Sequence, residues 1–452
     1  MKILLFNFLS RKVEDFEPIG TTVGLYTCGP TVYDSVHIGN WRTFVFEDVL
    51  KRVLTFNGYK VNHVMNITDI DDKIIKKSKE EKIPINELTK KYEDAFLEDL
   101  SKLSILKADK YPRATEHIEP MIQIIGKLVD RGIAYVKDDS VYFSISKFKD
   151  YGKLSGTNIK GVKAGARVDV DEYEKDNPQD FALWKSENED AKARHEAWDS
   201  LWGVGRPGWH IECSAMSMKY LGESFDIHAG GVDLLFPHHE NEIAQSEGAM
   251  GNKFVNYWLE GEHLLVDGQK MAKRLGNVFT LIDIVKKGFD PLALRYLFLT
   301  AHYRSTLNFT WESLDAAQNA LGNLRDAVAV WDEPKVGCSE FEADFKKSVN
   351  GDLDMPEALS VMWKMVKSDY PTSAKHQSLL VMDQVLGLGL DEIVKAELPV
   401  GVKELIEKRE KLRAMGEFEE SDKIREDLAK IGVEVEDTPE GSKWKVKKSK
   451  SK

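Results

Sequence analysis

The stretch T-V-G-L-Y-T-C-G-P-T-V-Y-D-S-V-H-I-G-N-W-R-T-F-V-F-E-D-V-L-K-R-V-L, residues 22–54, and the Y-K-V-N-H-V-M-N-I-T of residues 59–68 decide the fold class. Residues 22–26 are a short β-branched and aromatic run, the pattern of a buried strand, and Gly29-Pro30 turns the chain out of it. From Trp41 to Leu54 apolar residues recur at helical spacing, with no breaker before Gly58. Residues 59–68 then alternate as a second strand does. Strand, glycine-containing loop, helix and strand make a βαβ unit, which implies a parallel sheet in a Rossmann-like α/β domain.

The first residues, M-K-I-L-L-F-N-F, read as an earlier strand with its turn. Residues 111–185 read as an inserted module: a helix over 118–131, then strand-like segments at 140–144 and 165–170. A charged, loop-like stretch follows at 187–200, and sheet signals resume at 225–228 and 258–266. Beyond Pro291 the periodicity is helical, over 292–303, 311–329, 341–349, 355–368 and 377–386. A last helix pair, 402–414 and 419–431, precedes a hairpin over 434–446. The expected order is a catalytic domain in two halves (1–112 and 196–262) around an inserted module (113–195). A connecting region (263–310), an α-helical bundle (311–395) and a small α+β C-terminal domain (396–452) complete it.

At 452 residues the chain is too long for one ordinary core, and 42% hydrophobic with 31% charged residues describes a water-soluble globular protein. Its apolar runs are too short to cross a bilayer and the N-terminus lacks a signal-peptide pattern, so a cytoplasmic protein without membrane contact is expected. The net charge of -12 argues, taken alone, against a nucleic-acid partner. The chain nevertheless ends in K-W-K-V-K-K-S-K-S-K, residues 443–452, a basic run that reads equally as a solvated tail. Three cysteines, Cys28, Cys213 and Cys338, do not describe a disulfide framework; Cys338 reads as an inert loop thiol.

Three constellations carry chemistry. His37-Ile38-Gly39-Asn40 stands where a strand gives way to a helix, and backbone N–H groups at a helix start attract phosphate. Alone, an H-x-G is more often a packed loop histidine. Lys270-Met271-Ala272-Lys273-Arg274 sets three cations in five residues, suited to a triphosphate or to an ordinary basic loop. His238 and Glu242, in F-P-H-H-E-N-E, lie at i and i+4 on a helix expected to start near Pro237. An imidazole and a carboxylate so placed can share a metal, with Cys28 and Cys213 as candidates for the missing ligands; an ordinary helix-surface pair is the plainer reading.

The order of these three constellations, with Y-T-C-G-P-T-V-Y-D, N-I-T-D-I-D-D-K-I, G-W-H-I-E-C-S-A-M, D-L-L-F-P-H-H-E-N-E-I-A-Q-S-E and A-H-Y-R-S-T-L-N-F-T, resembles the cysteinyl-tRNA synthetases of the HIGH/KMSKS class over nearly the whole chain. The resemblance implies a cysteine–tRNA ligase, probing the substrate thiol with one Zn2+ held by Cys28, Cys213, His238 and Glu242. It implies ATP with Mg2+ as substrate, bound by His37, Gly39, Asn40, Lys270 and Lys273, four of them (all but Gly39) catalytic. Thr68, Trp209 and Asp233 match positions around the substrate L-cysteine, and tRNA(Cys) is the implied partner of a chain expected to be a monomer. Trp444 would stack on a base or close the small terminal domain. Two motifs depart from the family: H-I-G-N ends in Asn40 rather than His, and K-M-A-K-R has Ala272 and Arg274 where the family has serines. A cysteine ligase acting on an amino-sugar acceptor, and a non-catalytic zinc- and nucleotide-binding regulator, are the competing readings.

Overall fold

A computed structural model describes residues 2–157, 179–393, 401–430, 433–438 and 441–446. At its centre lies a four-stranded sheet in the order Val255–Gly261, Phe225–Gly231, Thr22–Thr27, Lys60–Met65, with every pairing parallel. Helix Ile38–Phe56 connects the inner strand Thr22–Thr27 to the edge strand Lys60–Met65, so the βαβ unit read from the sequence is present. Strand Thr22–Thr27 is buried along most of its length because helices cover the parallel sheet, which is why it reads as an apolar run, whereas the edge strand Lys60–Met65 is buried only from His63 onward. The N-terminal residues form strand Leu4–Asn7, paired antiparallel with Lys12–Asp15.

The chain leaves this sheet to build a second, antiparallel one from Ala134–Lys137, Ser140–Phe143, Phe181–Ser186 and Gly205–Pro207. The strand expected at residues 165–170 lies outside the described residues, as do the hairpin turn at 439–440 and the tail beyond residue 446. The stretch 187–200, expected as loop, contains the short helix Glu189–Ala193, started by Asn188 accepting the Ala191 N–H. Helices Asp72–Glu81 and Ile85–Lys102 were not anticipated; the apolar residues of the first are the adjacent pair Ile74-Ile75, which gives no recurring helical spacing to read. Expected strand 258–266 is two strands, Val255–Gly261 and Leu264–Val266. Cys338 stands at the N-terminus of helix Ser339–Asn350, 1% exposed, rather than in an open loop.

Helices Pro291–Leu299, Trp311–Ala329, Met355–Val366 and Thr372–Leu386 pack into the same apolar core as helix Ile38–Phe56. A second core beneath the antiparallel sheet holds Cys28 and Cys213 among Tyr26, Met216 and Trp258. The terminal helices Val402–Ala414 and Phe418–Lys430 close with strand Val433–Thr438 over their own small core of Val402, Ile406, Leu428, Val433 and Val435.

Candidate active site and metal centre

Four side chains from four places in the chain meet at one point. Cys28 follows strand Thr22–Thr27, Cys213 lies on helix Trp209–Leu221, His238 in the turn after strand Phe225–Gly231, and Glu242 in the first turn of helix Glu240–Met250. Their ligand atoms all lie within 4.8 Å of one another and all four residues are buried. Cys28 Sγ is 3.9 Å from Cys213 Sγ, 3.5 Å from His238 Nε2 and 3.9 Å from Glu242 Oε1, and His238 Nε2 is 3.1 Å from Glu242 Oε1. The regular α-helix is Glu240–Met250, but helical backbone already runs from Pro237, where the expected start lies. Phe236, held extended before proline (φ -140, ψ 128), marks the kink ahead of it, so His238 and Glu242 stand one helical turn apart.

The local electrostatics set opposite charges against one another at close range. Burial disfavours a charged Cys213, yet a hydrogen bond from Cys28 and the charge of His238 outweigh it and bring the thiol down to about 6. Burial likewise opposes a charged His238, but Cys213 and Glu242 raise it to about 10. Glu242 is held below the carboxylate range despite its burial, by His228 and His238. Burial, with Cys213 beside it, pushes the Cys28 thiol up. Thiolate and carboxylate in one dry pocket call for positive charge, which a protonated His238 or a divalent ion would supply.

Neighbours hold these groups in place. His210 Nδ1 meets His238 Nδ1 at 2.8 Å, and the Trp209 ring, 41% exposed, lies 4.5 Å from the His238 ring. Thr68 is buried beside the cluster, its hydroxyl donating to Glu212 Oε2 at 2.9 Å and accepting from Asn66 Nδ2 at 3.2 Å. Asp233 is exposed in the turn after strand Phe225–Gly231. His228, His239, His210, Glu212 and Glu260 line or support the pocket and were not singled out from the sequence. The doubled His238-His239 and the histidine three residues before Cys213 were the available signals.

The other two constellations face each other. His37 caps helix Ile38–Phe56, its Nδ1 accepting the Asn40 N–H at 3.2 Å, so the ring proton sits on Nε2. A Cβ on Gly39 would overlap the end of Met271, which brings the K-M-A-K-R loop against the helix start. The Ile38 N–H donates to Phe279 O at 2.8 Å, closing the same contact from the far side of that loop. Within the loop Asn277 accepts from the Ala272 N–H at 2.8 Å and donates to Lys270 O at 3.1 Å. Lys270 is exposed, while the side chain of Lys273 lies outside the described residues. Asn40 is exposed at the helix N-terminus.

Residues 16–319 match the family model of the class I (C) tRNA synthetase catalytic domain, and residues 395–444 match that of the cysteinyl-tRNA ligase anticodon-binding domain. The chain is 46% identical to the cysteine–tRNA ligase of Chlamydia muridarum, over 98% of this chain and 100% of that one. It is 45% identical to that of Brachyspira hyodysenteriae, over 98% and 99%. Methionyl-tRNA synthetase of Mycobacterium tuberculosis, solved in complex with methionyl-adenylate, shares the fold with a TM-score of 0.58 at 14% identity, over 84% of this chain and 92% of that one. With both domains matched and full-length similarity on this scale, the chain belongs to the cysteine–tRNA ligase family of class I synthetases.

Proposed function

We propose that this protein activates L-cysteine with ATP to cysteinyl-adenylate and transfers the cysteine to the 3′-terminal adenosine of tRNA(Cys). The observation that carries the specificity for cysteine is the meeting of Cys28, Cys213, His238 and Glu242. A tetrahedral zinc ion separates two thiolate ligands by about 3.8 Å, sulfur from nitrogen by about 3.5 Å and nitrogen from oxygen by about 3.3 Å. The corresponding separations here are 3.9, 3.5 and 3.1 Å, so the residues fit the ion. Zinc bound there would supply a soft Lewis acid that accepts a substrate thiolate and leaves serine's harder hydroxyl behind. Shape alone discriminates such near-isosteres modestly.

The remaining work belongs to the chain's own groups. Trp209 walls the cysteine pocket, Thr68 lines it, and the Asp233 carboxylate pairs with the substrate ammonium. His37 Nε2–H, the Gly39 backbone and the Asn40 amide hold the ATP phosphates at the positive end of helix Ile38–Phe56. Lys270 and Lys273 neutralise the pyrophosphate that leaves, with Mg2+ accompanying the nucleotide. Asn40 donates as the family's histidine does but carries no charge. Asn277 takes over the bracing of a loop whose serines are replaced by Ala272 and Arg274. The helical region from residue 311 and the C-terminal domain from residue 396 bind the tRNA; the anticodon-domain match favours this acceptor over an amino-sugar. The monomeric state and cytoplasmic location expected from the sequence are part of the same reading. No helix among the described residues is long and apolar enough to cross a membrane.

Zinc-loaded protein is expected to catalyse cysteine-dependent, serine-independent ATP–pyrophosphate exchange, and then to charge tRNA(Cys). Exchange without charging would favour a different acceptor, and no exchange at all would favour the regulator.

A further inference from the structure

Behind the four residues already described lies a second set with the same credentials. Cys28, His228, His239 and Glu242 also place one ligand atom each within 4.8 Å of all the others, and all four are buried. The two sets share Cys28 and Glu242. Glu242 divides its oxygens between them: Oε1 is 3.1 Å from His238 Nε2, whereas Oε2 is 3.0 Å from His228 Nε2. Cys28 Sγ likewise stands 3.5 Å from His238 Nε2 and 3.7 Å from His239 Nε2. These spacings are again close to the roughly 3.5 Å and 3.3 Å edges of a zinc tetrahedron.

His239 is oriented as a ligand requires, and His228 is fixed by packing. His239 Nδ1 meets Glu260 Oε1 at 2.7 Å, the carboxylate–histidine support that leaves Nε2 free to bind a metal. The His228 ring is stacked on Trp258 at 4.5 Å and 18°. The outer set's His238 lies against Trp209, whereas the inner set's His228 and His239 lie against Trp258 and Glu260, away from that partly exposed wall.

The geometry points to a second zinc seat formed by Cys28, His228, His239 and Glu242, which the ion occupies in place of the first because two ligands are shared. The inference rests on the reading that this pocket binds zinc. Occupying the inner seat exchanges a thiolate for an imidazole, so the two states differ in a property that X-ray absorption reads directly. The first shell is two sulfurs and one imidazole in the outer seat, one sulfur and two imidazoles in the inner.

The test is Cys213→Ser, which takes a ligand from the outer seat alone. Folded protein, judged by circular dichroism and Tm, is expected to keep one zinc per chain, now with one sulfur and two imidazoles. Adding His239→Ala is expected to weaken zinc binding at least ~10-fold relative to Cys213→Ser. A Cys213→Ser protein with one imidazole on its zinc, or with none of the metal, overturns the second seat. So does an affinity that His239→Ala leaves unchanged. Wild-type protein, measured alongside, separates the two ideas: one zinc with two sulfurs and one imidazole upholds the first site whatever the variants do. Wild-type without zinc removes the basis of both. Cobalt substitution gives an independent reading on the same proteins, since thiolate-to-cobalt absorption is expected to fall by about half in Cys213→Ser as the thiolate count goes from two to one.

Discussion

Gly29 separates Cys28 from the turn that leads to helix Ile38–Phe56. Its N–H donates to Asn66 Oδ1 at 2.9 Å, and a Cβ at this position would overlap the Asn66 backbone carbonyl. Backbone atoms cannot swing aside as a side chain does. Gly29→Ala is therefore expected to destabilise the protein by about 1–3 kcal/mol and to displace Cys28, lowering zinc content along with Tm. Gly126→Ala makes the control: that glycine lies within helix Ile118–Asp130 with open space around it, and alanine there should raise stability slightly. Equal Tm and zinc content in Gly29→Ala and wild type would mean that the close approach does not place Cys28. At this scale the sequence was readable where the chemistry is local. His238 and Glu242 are four apart, and their contact follows from one turn of chain. Cys28 and Cys213 are far apart in sequence, and no spacing announces that a strand end and a helix bring them together. His228 was invisible for another reason, because a histidine between Ile227 and the small residues Ala229, Gly230 and Gly231 carries no sign of which face it points to.

Helix Ile38–Phe56 does more than present its N-terminus. One turn in from the cap, the Arg42 guanidinium donates to the carbonyls of Glu262 (2.9 Å), His263, His302 (3.4 Å) and Ser305. These flank strand Leu264–Val266 and lead into Leu307–Phe309, the pair that carries the K-M-A-K-R loop. Burial brings Arg42 down to about 10, still fully charged at neutral pH. The planar fork reaches four carbonyls at once, which an ammonium group cannot. Arg42→Lys is expected to lower the rate of ATP–pyrophosphate exchange by about 10- to 100-fold through misplacement of the loop. The Michaelis constant for ATP should rise while that for cysteine stays put. An unchanged ATP constant, or equal losses for both substrates, would remove the clamp. Elements of this kind are half legible. Helix Ile38–Phe56 shows in its recurring apolar residues, whereas helix Asp72–Glu81 offers only the adjacent pair Ile74-Ile75, and the helical backbone through His238 starts at Pro237 because the residue before proline is held extended.

Across the whole molecule, one carboxylate ties the nucleotide-binding half to the helical half. Asp48, fully buried on helix Ile38–Phe56, accepts from Arg295 Nη2 at 2.6 Å, Arg52 Nε at 2.7 Å and the Leu106 N–H at 2.8 Å. Arg295 in turn donates to Leu386 O at 2.7 Å and Leu103 O at 3.1 Å, and Arg52 to Gln384 O at 3.0 Å. Helix Pro291–Leu299, the end of helix Thr372–Leu386 and the turn after Ile85–Lys102 are thereby held at one point. An arginine inside P-L-A-L-R-Y-L-F-L hints at a buried partner, but a net charge of -12 gives no indication of where opposite charges meet. Asp48→Asn keeps the shape and leaves two buried guanidinium groups without their counter-charge, a loss of about 3–5 kcal/mol. Burial alone would raise the Asp48 pKa; Arg295, Arg52 and the Leu106 N–H outweigh it and hold the group below its ordinary 3.8. The unfolded chain therefore takes up this proton first as pH falls. The stability that Asp48 contributes is complete above the unfolded pKa, and it is lost as pH falls through the lower, folded one. Denaturant titrations of wild type and Asp48→Asn should accordingly run a constant distance apart from pH 8 to about 5 and converge only in acid below about 4. A gap that closes already between pH 7 and 5, or no gap at neutral pH, would show that the two halves are held together by their shared apolar core without this knot.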